Sequence, residues 1–271
     1  MDEKGDYMGR KLVFFDIDGT LLDGLSGLDY LTDYTKKALK KLKEDGHYIF
    51  IATGRPYPYL PQDLLEFDFD GYVLCDGAYI YLHGQEIAYH PIDKEDIIYM
   101  FEQAKERNMT YIGYDRKEAY FFNEDQEFID FCHLFNFDES CMRHIDDYKD
   151  KANSFLKIHI KGNNEKYFDE VDVDLDKFYS ADDRKFFMKE IYSKSYSKAT
   201  ALKEILEYTG LKREDTYFFG DGLNDIALMD VVGCAIAMDN AKDEVKKHAQ
   251  YVCKSVSEEG VADFIFNSGL F

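Results

Sequence analysis

The chain of 271 residues has few cysteines, few prolines and no long apolar run. Its five cysteines form no CxxC pair, and an odd number in a chain of this size is typical of reduced thiols in a cytosol-like compartment. No stretch approaches the roughly 18 apolar residues of a transmembrane helix. The opening residues, MDEKGDYMGR, have neither the apolar core nor the basic flank of a signal peptide. We therefore expect a cytoplasmic protein.

Basic residues are also scarce, because 33 Lys and Arg stand against 54 Asp and Glu and give a formal net charge of -21. Long-range repulsion then argues against nucleic acid or an anionic membrane as a partner. A small phosphorylated ligand stays compatible with this charge if a bound cation inverts the local field. Hydrophobic residues make up 45% of the chain and aromatic residues 16%, which indicates a globular protein. Its length favours two domains.

Both ends of the chain alternate buried strands with helical segments. The apolar runs KLVFF, HYIFIA and GYVLC lie near the start, and TYFFG, CAIAM and YVC lie near the end. Strands that are apolar on both faces and separated by amphipathic segments are typical of a parallel sheet covered by helices. The expected fold class is therefore α/β.

The middle of the chain has a different pattern. A hairpin is predicted with its turn at residues 83–85, and SFLKIHIKG (154–162) alternates apolar and polar residues, as an antiparallel strand with one solvent-facing side does. We predict an α+β unit at 86–188, inserted into a core domain formed by 1–85 and 189–271.

Two aspartates follow the first strand in the segment DIDGT. Side chains at i and i+2 of a strand point the same way, so Asp16 and Asp18 are expected to share one site at the carboxyl edge of the sheet. Two carboxylates at that separation repel each other by roughly 4 kcal/mol at an intermediate dielectric. Either one is protonated or a cation lies between them, and Mg²⁺ is the simplest candidate. Taken alone, the segment fits a solvated Asx-rich turn equally well.

Other strand ends supply further polar groups. In TYFFGDGLND a second apolar strand ends in Asp221, Asn224 and Asp225. Thr53 and Gly54 end a third strand and offer a hydroxyl and a backbone N–H to phosphate oxygens. Lys198 stands where a helix is predicted to begin, a position suited to holding an anion. An aspartate nucleophile with Mg²⁺, a lysine and a hydroxyl around it makes a complete phosphoryl-transfer site.

The order DIDGT, ATGR, SK and GDGLND resembles the four motifs of the haloacid dehalogenase (HAD) superfamily of phosphohydrolases. CDGA (75–78), IAMDNA (236–241) and the closing YVCKSVSEEGVADFI are similar to features of its Cof-like subfamily, which carries a large α/β cap between motifs two and three. The match covers both halves of the core and little of the cap. It implies a Rossmann-like core with an inserted cap domain.

The resemblance also implies a role for each matching residue. Asp16 would attack phosphorus and form an aspartyl-phosphate, while Asp18 would protonate the departing alkoxide and then deprotonate the attacking water. Mg²⁺ would be held by Asp16, the backbone carbonyl side of Asp18 and Asp221, with Asp225 behind them or reaching the metal through water. The phosphate would be cradled by Thr53, Gly54, Lys198, Asn224 and the backbone N–H of Ile17.

Three positions depart from the family pattern. Asp76 replaces an asparagine that commonly faces the substrate, which affects leaving-group preference. Ala199 follows the motif lysine where a glycine is usual, and Asp239 stands where a glycine is usual. None of the three removes a group that the mechanism requires.

The cap sequence also contains Cys132, His133, Cys141 and His144. Their spacing fits no common structural zinc pattern, and packing is the favoured interpretation.

The leading hypothesis for function is a Mg²⁺-dependent phosphatase of small phosphorylated metabolites, most readily sugar phosphates. Asp18 carries the inference to phosphatase, because HAD dehalogenases lack this second acid. A phosphosugar mutase is the nearest alternative enzyme, and a non-catalytic phosphometabolite-binding protein is the alternative from another class. We expect a monomer, since a cap already shields the site.

Overall fold

The computed structural model describes residues 9–123, 126–134, 137–145, 147–162 and 165–271. By internal contacts, these residues divide into two compact units. The first comprises 9–54, 61–88 and 197–271, and the second comprises 55–60 and the described residues of 89–196. Whether an independently folding domain begins at residue 86 and ends at residue 188 remains a prediction.

The strands, in chain order, are β1 (Leu12–Phe15), β2 (Tyr48–Ala52), β3 (Gly71–Leu74), β4 (Tyr79–Leu82), β5 (Gln85–Tyr89), β6 (Thr110–Tyr114), β7 (Ala119–Phe122), β8 (Met142–His144), β9 (Lys157–Lys161), β10 (Phe178–Asp183), β11 (Met188–Ser193), β12 (Thr216–Gly220), β13 (Cys234–Ala237) and β14 (Tyr251–Val252). The α-helices are α1 (Asp33–Glu44), α2 (Gln62–Glu66), α3 (Lys94–Glu106), α4 (Gln126–Leu134), α5 (Glu165–Glu170), α6 (Lys198–Thr209), α7 (Ile226–Met229), α8 (Asp243–Lys246) and α9 (Gly260–Asn267). None of these helices has both the length and the apolar content needed to span a bilayer.

The first unit is built on an eight-stranded sheet in the order β14-β13-β12-β1-β2-β3-β4-β5. The strands from β14 to β3 are parallel, and β4 returns antiparallel to β3. At the centre, Phe14 of β1 lies opposite Phe50 of β2 and Phe218 of β12, and all three side chains are buried. The predicted α/β fold with a parallel sheet is therefore confirmed, with an antiparallel hairpin added at one edge.

The helices of this unit begin and end where local sequence signals predict. In α6 the side chain of Ser197 caps the N-terminus by accepting a hydrogen bond from the Thr200 N–H, and Gly210 ends the helix with a φ of 72°. Its buried residues Ala201, Leu202 and Ile205 pack into the core of the sheet. Lys198 is the first residue of this helix, so the cap fixes the position of its backbone.

The second unit has a six-stranded sheet in the order β10-β11-β9-β6-β7-β8, antiparallel except for the β7–β8 pair. One face packs against α3 through Ile97, Met100 and Phe101. The other face packs against α4 through Phe128 and Cys132. The unit therefore has an apolar core on each side of its sheet.

The prediction of one solvent-facing side for β9 is wrong. Lys157, His159 and Lys161 are only 2%, 6% and 5% exposed. β9 lies between β6 and β11, and the face that carries His159 also carries Ile112 and Tyr114. Tyr59, from the short segment 55–60, contacts the rings of both Tyr114 and His159 on that face. Sequence alternation marked the polar side correctly, but a distant segment covers it.

Candidate active site

The first strand delivers Asp16 to the carboxyl edge of the sheet, and the chain then turns sharply. β1 ends at Phe15, and the Asp16 N–H donates to the Phe219 carbonyl at 2.9 Å. The Ile17 carbonyl accepts the N–H groups of residues 20, 21 and 22, which closes a compact turn. Asp16 is buried and Asp18 is exposed. The two residues therefore do not lie on one extended strand, which the i, i+2 argument had assumed. Burial raises the pKa of Asp16 despite the opposing charge of Lys198, and the charge of Asp18 adds to this rise.

A buried lysine joins two of the predicted carboxylates. Lys198 Nζ donates to Asp16 Oδ1 at 2.7 Å and to Asp225 Oδ1 at 2.6 Å, and the residue is 2% exposed. Burial alone would lower the pKa of Lys198, but the charges of Asp16, Asp225 and then Asp76 outweigh it and raise that pKa. The ammonium group therefore stays charged and holds the Asp16 carboxylate in place.

Asp225 fixes the loop that follows β12. It is fully buried, and its Oδ2 accepts the N–H groups of Asp221 at 3.0 Å and Gly222 at 2.9 Å. With Lys198 on Oδ1, both of its oxygens have protein donors. Asp225 therefore positions the backbone at Asp221.

Asp16, Asp221 and Asp225 offer carboxylate oxygens that all lie within 4.8 Å of one another. In the part of the chain that the structure describes, no other group of three or more such side chains has this arrangement. Burial, and next the charge of Asp225, raises the pKa of Asp221 to about 6. Closely spaced carboxylate oxygens of this kind are the donors that Mg²⁺ prefers, so these residues fit that ion.

Two residues that the sequence analysis did not select hold Asp221 in place. Thr20 Oγ1 donates to Asp221 Oδ1 at 3.2 Å, and Asn240 Nδ2 lies 3.3 Å from Asp221 Oδ2 and 2.8 Å from the Gly19 carbonyl. Asn240 Oδ1 accepts the Val256 N–H at 2.9 Å, which sets the orientation of its amide. Thr20 belongs to the DIDGT motif and Asn240 to the IAMDNA segment, so the two motifs that resemble the family could have pointed to both residues.

The approach of Gly19 to Asp221 requires a glycine. Gly19 has a φ of 76°, and a Cβ atom placed on it would lie 2.1 Å from Asp221 Oδ2. The glycine of DIDGT therefore allows the first and fourth motifs to meet.

Thr53 and Gly54 follow β2, beside the turn that carries Asp76. The Thr53 carbonyl accepts the Asp76 N–H at 3.1 Å, and a Cβ atom on Gly54 would lie 2.8 Å from Asp76 Oδ2. Asn224 Nδ2 lies 3.4 Å from Asp76 Oδ1. The structure thus brings three of the predicted phosphate-binding residues together around Asp76, and Ile17 lies buried next to Asp16. Their contact with phosphate stays a prediction.

The cysteines and histidines that raised a zinc interpretation form no metal-holding group among the described residues. Cys132, on α4, is buried in the core, with its Sγ 3.6 Å from the Tyr59 hydroxyl. His133 Nε2 lies 2.6 Å from a carboxylate oxygen of Glu139, and both of these side chains are exposed. Cys132 therefore has a packing role, and His133 has a surface contact.

Comparison with known proteins agrees with the geometry of the site. The family model described as haloacid dehalogenase-like hydrolase matches residues 13–265. The chain is 29% identical to "Putative phosphatase YkrA" of Bacillus subtilis (strain 168), over 97% of this chain and 99% of that protein. It is 28% identical to "5-amino-6-(5-phospho-D-ribitylamino)uracil phosphatase YitU" of the same organism, over 94% of this chain and 96% of that protein.

A solved structure shares the fold. It is described as a sugar phosphatase of HAD subclass IIB, and it matches with a TM-score of 0.77 and 24% identity, over 96% of this chain and all of that chain (100%). The motif resemblance to the HAD superfamily is thus confirmed, as is the enzyme class, phosphatase, that it implied. The chain belongs to the family of haloacid dehalogenase-like hydrolases.

Proposed function

We propose that the protein is a Mg²⁺-dependent phosphomonoester hydrolase of small phosphorylated metabolites, sugar phosphates first, that acts through an aspartyl-phosphate on Asp16. One observation carries the proposal. A buried carboxylate at the end of the central strand is bonded to a charged lysine at 2.7 Å and lies within 4.8 Å of two further carboxylates. A purely structural ion pair needs no such cluster.

Asp16 is placed to act as the nucleophile. Lys198 binds its Oδ1, so the carboxylate has one orientation, and the ammonium charge offsets the negative charge of an incoming phosphoryl group. The Asp16–phosphorus bond forms as the ester oxygen–phosphorus bond breaks. This step transfers the phosphoryl group to the protein and releases the alcohol.

Asp18 is exposed to solvent, so its carboxyl group is open to a substrate and to water, which supports the proposal. As an acid, it donates its proton to the departing alkoxide. As a base, it then takes a proton from the water that attacks phosphorus, and the Asp16–phosphorus bond breaks to release inorganic phosphate. The proton that Asp18 gave is restored in the second step, so the cycle balances.

The metal would be held by Asp16, the backbone carbonyl side of Asp18 and Asp221, with Asp225 supporting these ligands or reaching the metal through water. When bound, Mg²⁺ supplies positive charge that stabilises the transferring phosphoryl group. Thr20 and Asn240 keep the Asp221 carboxylate in position for that role.

The substrate class is proposed from the relatives. One relative is named as a phosphatase of a phosphorylated ribitylaminouracil, and one structural neighbour is described as a sugar phosphatase. Both names describe phosphate esters of polyhydroxylated carbon chains. We therefore propose hexose, pentose and polyol phosphates as the first compounds to assay.

The test is release of inorganic phosphate from p-nitrophenyl phosphate with Mg²⁺ and with EDTA. We expect activity only with Mg²⁺, and none in Asp16→Asn. Asp68→Asn is the matched control, because it removes one charge from an exposed carboxylate of the same unit and should retain wild-type activity. Full activity of Asp16→Asn, or a wild type inactive on a broad ester panel, would show that the hydrolase proposal is wrong. Transfer of the phosphoryl group to a sugar hydroxyl would identify a mutase instead.

We also propose that the protein is a cytoplasmic monomer. The five cysteines without a CxxC pair support the cytoplasmic location, and the net charge of -21 opposes self-association. Size-exclusion chromatography with light scattering tests the oligomeric state, and a dimeric mass would contradict it.

A further inference from the structure

Asp76 occupies a tightly constrained turn after β3. Cys75, Asp76 and Gly77 have φ values of 51°, 54° and 104°, three successive residues in the left-handed region. Non-glycine residues adopt this conformation uncommonly, and such residues cluster at functional sites. Here the Asp76 N–H donates to the Thr53 carbonyl, and a Cβ atom on Gly77 would lie 2.2 Å from the Ser197 carbonyl. The turn is therefore fixed between β2 and the start of α6.

The Asp76 side chain points at groups that the proposed function assigns to phosphate. A Cβ atom placed on Gly54 would lie 2.8 Å from Asp76 Oδ2 and 3.0 Å from Asp76 Oδ1. Asn224 Nδ2 lies 3.4 Å from Oδ1. The residue is only 9% exposed, so little water screens its charge.

The negative charge of Asp76 lies beside these proposed phosphate-binding groups. A phosphate dianion that approaches Gly54 and Asn224 meets a carboxylate of the same sign.

We propose that Asp76 is a positioning residue that orients the Asn224 amide and whose charge weakens the hold of the site on inorganic phosphate. The inference rests on the proposed function, since it assumes that phosphate binds beside Thr53, Gly54 and Asn224. The carboxylate keeps the amide in place for the ester substrate. Its negative charge then favours release of the product dianion.

The experiment compares wild type with Asp76→Asn. Asparagine has the same shape, retains an oxygen that can face Asn224, and tolerates a positive φ, so this variant should fold. Binding of inorganic phosphate in the presence of Mg²⁺ is measured by isothermal titration calorimetry, and KM and kcat are measured with p-nitrophenyl phosphate. We expect the Kd for phosphate and the KM to fall about tenfold in the variant, a change of about 1.4 kcal/mol in binding.

A gain of affinity separates this role from a structural one, because a damaged fold weakens binding. Asp68→Asn is the control for the loss of one negative charge elsewhere in the unit, and its phosphate affinity should equal that of wild type. A phosphate Kd in Asp76→Asn that is unchanged or higher would overturn the inference. If wild type hydrolyses esters in that case, the phosphatase proposal stands and only the role of Asp76 fails. If wild type neither hydrolyses esters nor binds phosphate, the proposed function fails and the inference fails with it.

Discussion

Replacing Lys198 by methionine tests the ion-pair network at the centre of the site. Methionine retains an unbranched apolar side chain and removes the ammonium group that donates to Asp16 at 2.7 Å and to Asp225 at 2.6 Å. Each hydrogen bond to a charged group contributes about 1.5–3 kcal/mol. Without the ammonium group, Asp16 can take up a proton and become neutral, since burial already raises its pKa. Asp225 retains two backbone donors. We therefore expect a net destabilisation of about 3 kcal/mol, near the lower end of the 3–5 kcal/mol for broken buried pairs.

The assay is urea unfolding in EDTA, followed by far-ultraviolet circular dichroism because the chain has no tryptophan. A double-mutant cycle adds Asp16→Asn and the double variant, and we expect the double variant to lose about 1–2 kcal/mol less than the sum of the single losses. The pKa of Lys198 is raised in the folded state, so its stabilisation is fully present below the unfolded-state pKa near 10.4 and is lost only as pH rises through the folded-state value.

Lys203→Met is the matched control in the same helix. Lys203 is exposed and lies 4.0 Å from Glu207, so its loss should change stability by less than about 0.5 kcal/mol. If Lys198→Met matched this control, or if the cycle were additive, the network would not hold the site together and the reasoning would be refuted.

Three further predictions concern other contacts. Glu190→Gln removes the half-buried carboxylate that pairs with Lys157, and we expect a loss of about 1–3 kcal/mol in unfolding free energy at pH 7. Burial opposes the charged form of Glu190, but Lys157 and then His159 outweigh burial and lower the pKa of Glu190. The stabilisation that Glu190 provides is therefore present above its unfolded-state pKa near 4.3 and falls as the pH drops below that value. A variant whose stability has the same pH profile as wild type would contradict this prediction. Asn240→Ala should raise the Mg²⁺ dissociation constant about tenfold in calorimetry, and an unaltered constant would exclude its positioning role. Gly54→Ala should reduce kcat/KM by about 10- to 100-fold, because its Cβ would lie 2.8 Å from Asp76 Oδ2, and wild-type kinetics would show that this approach is not required.

Local patterns in the sequence were sufficient for the sheet and for most of the site. The four strands β12, β1, β2 and β3 each end in a polar motif, and they are consecutive in the sheet. Because they are parallel, their carboxyl ends meet at one edge of the sheet. Asp16, Asp221 and Thr53 were found in this way. The order of the four motifs then identified the family without any structural information.

What the sequence could not supply depends on contacts between distant segments. Lys198 and Asp16 are 182 residues apart, and no periodicity reveals that one ammonium group binds two carboxylates. The exposure of Asp18 depends on a turn that is closed by the Ile17 carbonyl and not on strand alternation. The polar side of β9 alternates as a solvent-facing strand does, yet Tyr59 covers it from a segment about 100 residues earlier.

The central claim is that Asp16 carries the phosphoryl group, and rapid-quench mass spectrometry tests it directly. The protein to use is Asp18→Asn with p-nitrophenyl phosphate, whose good leaving group needs no acid, so the intermediate forms and its hydrolysis stalls. We expect the mass of one phosphoryl group on the peptide that contains Asp16, and no such mass when Asp16→Asn is added. A phosphoryl group on another peptide, or turnover that persists in Asp16→Asn, would contradict the account.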